Sequence, residues 1–202
     1  MRTIRFLWAQ RGLRKKIALL SRNYRALEQD INRFKSKTGI KCAEGCGRCC
    51  ENPDVETTAL EMLPLAYELF RKNEAQQWLE RAQQADHKGP CIFYQPDARI
   101  SGNGRCTVYA FRPLICRLFG FSAKSNKHRR MELVTCPVIK KNCAQGIVKA
   151  DAMIDRGDRL PLMPEYSMKS YQIDPQMGQR QLPINKAIQE AIEHIGLKLK
   201  YY

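Results

Sequence analysis

The chain has 202 residues, of which 44% are hydrophobic and 27% charged, and its formal net charge at pH 7 is +15. This length suits one domain with extensions, and no apolar run approaches the roughly 20 residues that a membrane-spanning helix needs. Residues 1–12 also lack the apolar core of a signal peptide, so we expect a soluble, cytoplasmic protein without a membrane span.

Residues 1–41 form the first predicted element, a basic amphipathic helical arm with 12 Lys and Arg against 2 Asp and Glu. Its apolar residues alternate at intervals of four and three, which is a heptad pattern, and Gly39 is the expected stop. The apolar positions are Phe6, Leu13, Ile17, Leu20, Tyr24, Leu27, Ile31 and Phe34. We favour the interpretation that these apolar positions, the heptad seam, pack against the rest of the chain. The alternative is that the basic face contacts nucleic acid or an acidic protein partner.

Nine cysteines follow the arm, and four of them fall within the nine residues 42–50. They are Cys42, Cys46, Cys49, Cys50, Cys91, Cys106, Cys116, Cys136 and Cys143. In a reducing cytosol, clustered thiols are more often metal ligands or catalysts than disulfides. Soft thiolates favour zinc, or iron as an iron–sulfur cluster. A disulfide framework is the less favoured alternative, and an odd number of cysteines would leave one thiol unpaired.

Residues 58–61 resemble a capping box that opens a helix, and a second helical stretch covers residues 74–84. Residues 91–94 and 106–109 are predicted to be the strands of a hairpin with a turn at 101–104. Such a hairpin would bring Cys91 and Cys106 close together.

A short helix is expected from Arg112–Pro113, and a turn from Cys136 leads into a helix that ends near Gly157. A proline-punctuated tail closes with a helix from about Asn185. The predicted fold is therefore mainly α with a small β-hairpin, an irregular cysteine-cluster domain stabilised by metal. We divide it into the arm at 1–41, the metal-binding domain at 42–145 and a helical extension at 146–202.

The thiols outnumber the ligands of a single site, because a structural zinc ion and a [4Fe–4S] cluster each take four. Nine cysteines could fill two sites with one left over, or one site with several bystanders. Adjacent Cys49 and Cys50 tend to point in different directions, so they could serve two neighbouring centres. The three histidines do not adjoin the cysteines, which favours all-thiolate coordination. Arginines beside Cys49, Cys106 and Cys116 would favour the thiolate form.

The spacing Cys42-x3-Cys46-x2-Cys49 also matches radical S-adenosylmethionine enzymes. Those enzymes usually carry an aromatic residue before the third cysteine, where this chain has Arg48. Their barrel needs Val/Ile-rich parallel strands, which this sequence lacks. No P-loop, dinucleotide-binding turn or zinc-protease motif is found, so a binding protein is favoured over an enzyme.

Taken together, several ordered segments resemble the YkgJ-type cysteine-cluster family, described as a zinc- or iron-chelating domain. The segments are Cys46-Gly-Arg-Cys49-Cys50, the helix start at Thr58 to Glu61, Cys91, and Cys106-Thr-Val-Tyr109-Ala-Phe-Arg112-Pro113-Leu-Ile-Cys116-Arg117-Leu-Phe119. The resemblance covers about residues 42–145.

The resemblance implies a set of metal ligands and a structural role for Arg112–Pro113. The implied ligands are Cys46, Cys49, Cys50, Cys91, Cys106 and Cys116. Three residues separate Cys42 from Cys46, where the family's motif has two between its first two cysteines. Cys136 and Cys143 match the family less closely. All nine cysteines remain candidate ligands. The family also includes flagellin lysine methylases, so an iron–sulfur enzyme related to them is the alternative function. A third hypothesis is an interaction module that uses the basic helix.

Overall fold

The computed structural model describes residues 2–86, 88–100 and 103–200, with the side chains of 2–10 and 200 outside the description. The helices, in chain order, are α1 (Arg2–Thr38), α2 (Arg48–Glu51), α3 (Ala59–Arg71), α4 (Ala75–Gln84), α5 (Leu114–Leu118), α6 (Pro137–Asn142), α7 (Ala144–Asp155), α8 (Met163–Tyr171), α9 (Pro175–Gly178) and α10 (Ile184–Lys200), with a 3₁₀ turn at Tyr109–Phe111. The strands are β1 (Glu56–Thr57), β2 (Tyr94–Pro96), β3 (Gly104–Cys106), β4 (Ser122–Ser125), β5 (Met131–Val134) and β6 (Leu182–Pro183). The mainly α fold predicted from the sequence is confirmed.

Helix α1 follows the predicted heptad seam and ends where the sequence indicates. Gly39 adopts a φ of +77°, a left-handed conformation that favours glycine, and its N–H donates to the Lys35 carbonyl at 2.8 Å. Leu20 and Leu27 on the seam are fully buried against the rest of the chain. The seam residue Phe6 lies outside the described side chains. The long helix therefore supports the body of the protein rather than extending away from it.

The first hydrophobic cluster forms where α10 packs across α3 and α4. The Thr58 side chain accepts a hydrogen bond from the Glu61 N–H at 3.2 Å, which caps α3 as the sequence predicts. On α10 the predicted apolar stripe is buried, with Ile192 and Ile195 at most 1% exposed. This cluster is the support beneath Cys91 and Cys116, which pack against it.

The second hydrophobic cluster joins the C-terminal half of α1 to α5, α6, α7 and α8. Its buried members include Phe34 of α1, Leu118 of α5 and Tyr166 of α8. Cys136 and Cys143 pack against this cluster instead of the first. Helices from all three predicted regions of the chain thus contribute to the two clusters that carry the cysteines.

Three antiparallel strand pairs occur over the described ranges: β1 with β6, β2 with β3, and β4 with β5. The predicted hairpin is β2–β3, but its predicted bounds were wrong. Residues 91–94 instead form a turn in which the Tyr94 N–H donates to the Cys91 carbonyl at 2.8 Å. Residues after Cys106 turn into a 3₁₀ helix, and Tyr94, not Cys91, lies opposite Cys106. Ser101 and Gly102 of the predicted turn lie outside the described residues.

The β4–β5 hairpin, α8 and α9 were not predicted from the sequence. Over the described residues, no helix combines the length and apolar character that a bilayer crossing requires.

Candidate metal centre

The first cysteine cluster is held by a short loop and one helical turn. Cys46 forms a β-bridge with Asn103 at the end of the β2–β3 hairpin. The Gly47 carbonyl then accepts the Cys50 N–H at 2.8 Å, which starts the turn of α2. These backbone bonds place the first cluster beside the hairpin that carries Cys106.

The ring of Tyr94 fastens this loop to the hairpin. A Cβ atom on Gly47 would stand 2.3 Å from Tyr94 Cε2, and one on Gly104 would stand equally close. The ring therefore lies directly against both glycines, where no other residue leaves room. The Tyr94 hydroxyl donates to the Glu51 carboxylate at 2.8 Å, which ties the hairpin to the end of α2.

Cys91 is positioned by hydrogen bonds on both sides. Its N–H donates to the Cys50 carbonyl at 2.9 Å. Asn185, fully buried at the start of α10, donates to the Pro90 carbonyl at 3.0 Å and accepts the Ile92 N–H at 3.0 Å. The segment around Cys91 is thereby fixed to the first hydrophobic cluster.

Cys116 is carried by the short helix α5, whose first N–H groups have no partner within the helix. The buried Glu61 carboxylate of α3 accepts the Leu114 N–H at 2.8 Å and so satisfies one of them. Burial raises the pKa of Glu61, and the Leu114 N–H opposes that rise. Glu61 thus fixes Cys116 relative to α3.

These segments converge on a narrow cavity of about 30 Å³. Five cysteines line it, together with Arg112 and mainly apolar side chains. The cysteines are Cys49, Cys50, Cys91, Cys106 and Cys116. We call four of them the central thiol set: Cys50, Cys91, Cys106 and Cys116.

The thiols of the central set act on one another electrostatically. A hydrogen bond from Cys50 to Cys106 raises the pKa of Cys50 and lowers the pKa of Cys106 to about 7. Burial raises the pKa of Cys91 to about 12. Burial also raises the pKa of Cys116, and the nearby Cys91 adds to that rise. The arrangement therefore gathers sulfur atoms in surroundings where isolated negative charge is unfavourable.

Cys49 lines the same cavity and acts on Cys116, and further thiols also act on it. Burial raises the pKa of Cys49 to about 11, and the nearby thiols of Cys42, Cys136 and Cys46 add to the rise. The pKa of Cys42 is likewise raised by burial and then by Cys46 and Cys136. We call these four the peripheral thiol set: Cys42, Cys46, Cys49 and Cys136. The ninth thiol, Cys143, donates to the Lys41 carbonyl at 3.5 Å.

Arg112 supplies positive charge to both thiol sets. It lines the cavity, and its charge favours the thiolate forms of Cys106 and Cys49. Its guanidinium also donates to the Cys116 carbonyl at 3.1 Å and lies over the Tyr109 ring at 3.4 Å. Sequence adjacency did not identify this residue, because it is four positions from the nearest cysteine.

Two of the three arginines adjacent to cysteines in the sequence, Arg105 and Arg117, have other partners. Arg117 is buried and donates to the Arg112 carbonyl at 2.7 Å, with Glu28 at 3.3 Å. Arg105 is exposed and donates to Gln95 at 2.9 Å. Their contacts support the backbone around α5 and β3.

Over residues 2–86, 88–100 and 103–200, no three Cys, His, Asp or Glu side chains stand close enough together to hold a metal ion as they are oriented. A cysteine side chain has a single χ angle, and rotation between staggered positions moves its sulfur by about 3 Å. The chemistry of the donors fits a soft metal ion, since the central set is four thiols around one cavity. Side-chain rotation is thus the adjustment that binding would require.

Comparison with known proteins gives one match. Residues 41–137 match the model of the CxxCxxCC family, described as "Putative zinc- or iron-chelating domain". No curated protein and no solved structure matches the chain significantly. The resemblance predicted from the cysteine pattern is therefore confirmed for this part of the chain.

Proposed function

Because residues 41–137 carry the CxxCxxCC domain, we propose that the protein binds zinc or iron through thiolates of its cysteine cluster. The observation that carries this proposal is the cavity, where cysteines from four separate segments of the chain meet. The central thiol set would hold the metal ion. Bound there, the ion would act as a cross-link among the four segments.

The surroundings of the central set support a structural role for the metal. The cavity walls are largely apolar, and Met62, Phe93 and Ile188 are almost fully buried. Metal binding must displace protons from the thiols, since raised pKa values keep most of them protonated near pH 7. Arg112 offsets part of the negative charge that four thiolates would add.

The segments that carry the central set have little regular structure of their own. Cys91 precedes β2, Cys106 ends β3, and Cys116 lies on a helix of five residues. The packing of α10 on α3 and α4, in contrast, depends on buried apolar side chains. Loss of metal is therefore expected to release residues 42–56 and 86–137, while this helical packing persists.

The proposal is tested by metal analysis of the anaerobically purified full chain and of two variants. Cys116→Ser should lose metal, whereas Cys143→Ser, the matched control, should retain the wild-type content. Chelator should lower the thermal stability of the wild type and leave Cys116→Ser unchanged. Equal metal content in the wild type and Cys116→Ser would overturn the proposal for the central set.

The same analysis decides between zinc and an iron–sulfur cluster. Zinc without acid-labile sulfide would indicate a chelating or structural module. Iron with an equal amount of sulfide and visible absorption would indicate a cluster, and would favour the enzyme alternative.

A second candidate function concerns the solvent face of α1. Arg14, Lys15, Arg22 and Arg25 are exposed along it, in a segment with a large excess of positive charge. Such a face suits RNA or an acidic protein surface. Binding of single-stranded RNA should weaken steeply with added salt and with Arg22→Glu/Arg25→Glu. Affinity that does not respond to salt or to this charge reversal would contradict the idea.

A further inference from the structure

We propose that the β4–β5 hairpin is a docking surface for double-stranded DNA, whose phosphates its basic end would contact. Residues 124–130 hold four Lys and Arg and lack Asp and Glu. The whole hairpin, residues 122–134, contains no cysteine, so this surface lies outside the thiol sets and does not depend on the proposed metal binding. We call residues 126–130 the hairpin tip.

The hairpin is anchored at its base and projects at its other end. Ser122 and Ala123 are fully buried, and the Ala123 N–H donates to the Pro161 carbonyl at 3.0 Å. Residues 124–125 and their partners 131–132 are exposed on both strands. Three residue steps lead from the buried pair to the tip, which at about 3.4 Å per residue is a projection of about 10 Å.

Asn126 holds the tip in one conformation. Its N–H donates to the Arg130 carbonyl at 2.8 Å, and the Arg129 N–H donates to the Asn126 carbonyl at 3.0 Å. The Asn126 side-chain oxygen accepts the N–H groups of His128 at 2.9 Å and of Arg130 at 3.1 Å. Residues 127–129 thus form a three-residue hairpin loop, in which the third position is left-handed and usually glycine.

This third position is occupied by Arg129, with a φ of +59°. A side chain is strained there, and glycine would suit the backbone better. No compensating contact accompanies the strain: among the described residues, the side chains of Lys127, Arg129 and Arg130 form neither a hydrogen bond nor an ion pair. Strain without an internal benefit points to a role in binding. Three unpaired cations within four residues are therefore available to an outside partner.

The shape and composition of the hairpin favour duplex DNA as that partner. The major groove of B-DNA is about 12 Å wide and about 8.5 Å deep, so it admits a two-stranded ribbon that projects by about 10 Å. The major groove of duplex RNA is narrow and does not admit side chains in this way. Single strands are usually held by stacking on aromatic side chains, and residues 122–134 contain no Phe, Tyr or Trp. The net charge of +15 would attract the polyanion from a distance.

The test measures binding of a short fluorescent DNA duplex to the full chain, purified anaerobically with its metal, over a series of salt concentrations. Each lost phosphate contact makes the plot of log K against log salt shallower by about 1, so Lys127→Gln/Arg130→Gln should make it shallower by about 2. The control Lys88→Gln/Arg99→Gln removes the same charge at exposed positions and should keep the wild-type slope. Absence of duplex binding by the wild type at low salt, or equal losses in the two variants, would overturn the proposal.

Arg129→Gly separates docking from a structural role of this arginine. Glycine relieves the backbone strain, so the melting temperature should be equal to that of the wild type or higher, while the salt dependence of DNA binding becomes shallower by about 1. Wild-type DNA affinity in Arg129→Gly, or a lowered melting temperature, would overturn the role assigned to Arg129. Tighter binding of single-stranded or duplex RNA of the same sequence would overturn the choice of partner.

Discussion

Gly47→Ala offers a sharp test of how the first cysteine cluster is fixed to the hairpin. The new Cβ would stand 2.3 Å from Tyr94 Cε2, 2.8 Å from its hydroxyl and 2.9 Å from Cζ. Ordinary contact between carbon atoms is about 3.5 Å, so the ring must move by more than about 1 Å. That movement would break the hydrogen bond from Tyr94 to Glu51 and loosen the loop that carries Cys46, Cys49 and Cys50.

The expected cost is that of an overpacked contact, about 1–3 kcal/mol. Because metal binding is coupled to ordering of its ligands, this cost should appear as a weaker metal affinity. The corresponding loss is about 5- to 150-fold in Kd for zinc. The assay is competition with a chromophoric chelator under anaerobic conditions, alongside circular dichroism for helix content.

Two controls separate the local contact from a general effect of added methyl groups. Gly12→Ala lies on α1 with nothing within 4 Å of the new Cβ, so it should leave zinc affinity unchanged. Tyr94→Ala removes the ring that Gly47→Ala would strike, so the two substitutions together should cost less than their sum. Unchanged affinity in Gly47→Ala, or strict additivity with Tyr94→Ala, would refute the reasoning.

Three further predictions follow from the surroundings of the central thiol set. Glu61→Leu leaves the Leu114 N–H without its acceptor and should lower the free energy of unfolding by about 1–3 kcal/mol. Glu61→Gln should lower the free energy of unfolding by less than Glu61→Leu does. Burial raises the pKa of the Glu61 carboxyl, and the glutamine amide keeps an acceptor for the Leu114 N–H without a charge. Equal melting temperatures for the two variants would contradict this. Asn185→Leu removes the hydrogen bonds that Asn185 makes to Pro90 and Ile92, on either side of Cys91. It should weaken zinc binding, measured by chelator competition, with little loss of helix, measured by circular dichroism. Zinc affinity equal to that of the wild type would contradict this. Binding of one zinc ion to the central thiol set near pH 7 should release about three to four protons, because the pKa values of Cys50, Cys91 and Cys116 are raised and these thiols start protonated. Calorimetry in buffers of different ionisation enthalpy measures this number, and one proton or fewer would contradict it.

Structural features that depend only on neighbouring residues, such as the ends of helices, could be predicted well from the sequence. The heptad spacing from Leu13 to Phe34 predicted α1, and Gly39 predicted its end. The capping residue Thr58 predicted the start of α3. Each signal depends on neighbours within a few residues, so no knowledge of tertiary packing was needed.

Features that depend on tertiary contacts could not be predicted in the same way. The strands of the β2–β3 hairpin are shifted because Cys91 belongs to a turn whose position is set by Asn185. Glu61 looked like half of a capping box, but its carboxylate accepts a hydrogen bond from the distant α5. The sequence indicated only a structural role for Arg112. Its charge lowers the pKa of Cys106, and this effect depends on the folded arrangement of the segments.

The cysteines illustrate the same limit. Their number and spacing predicted an all-thiolate site, but not which thiols are neighbours. Cys49 and Cys50 are adjacent in sequence, yet the thiols that act most strongly on them differ. Cys136 is distant from Cys42 in sequence and yet raises the pKa of Cys42. Only folding of the chain around α2 decides these groupings.

The most direct test of the central claim is X-ray absorption spectroscopy of the metal in anaerobically purified wild-type protein. We expect a first coordination shell of four sulfur atoms, at about 2.3 Å for zinc. A shell dominated by nitrogen or oxygen at about 2.0–2.1 Å would contradict all-thiolate coordination and, with it, the proposed role of the cysteine cluster.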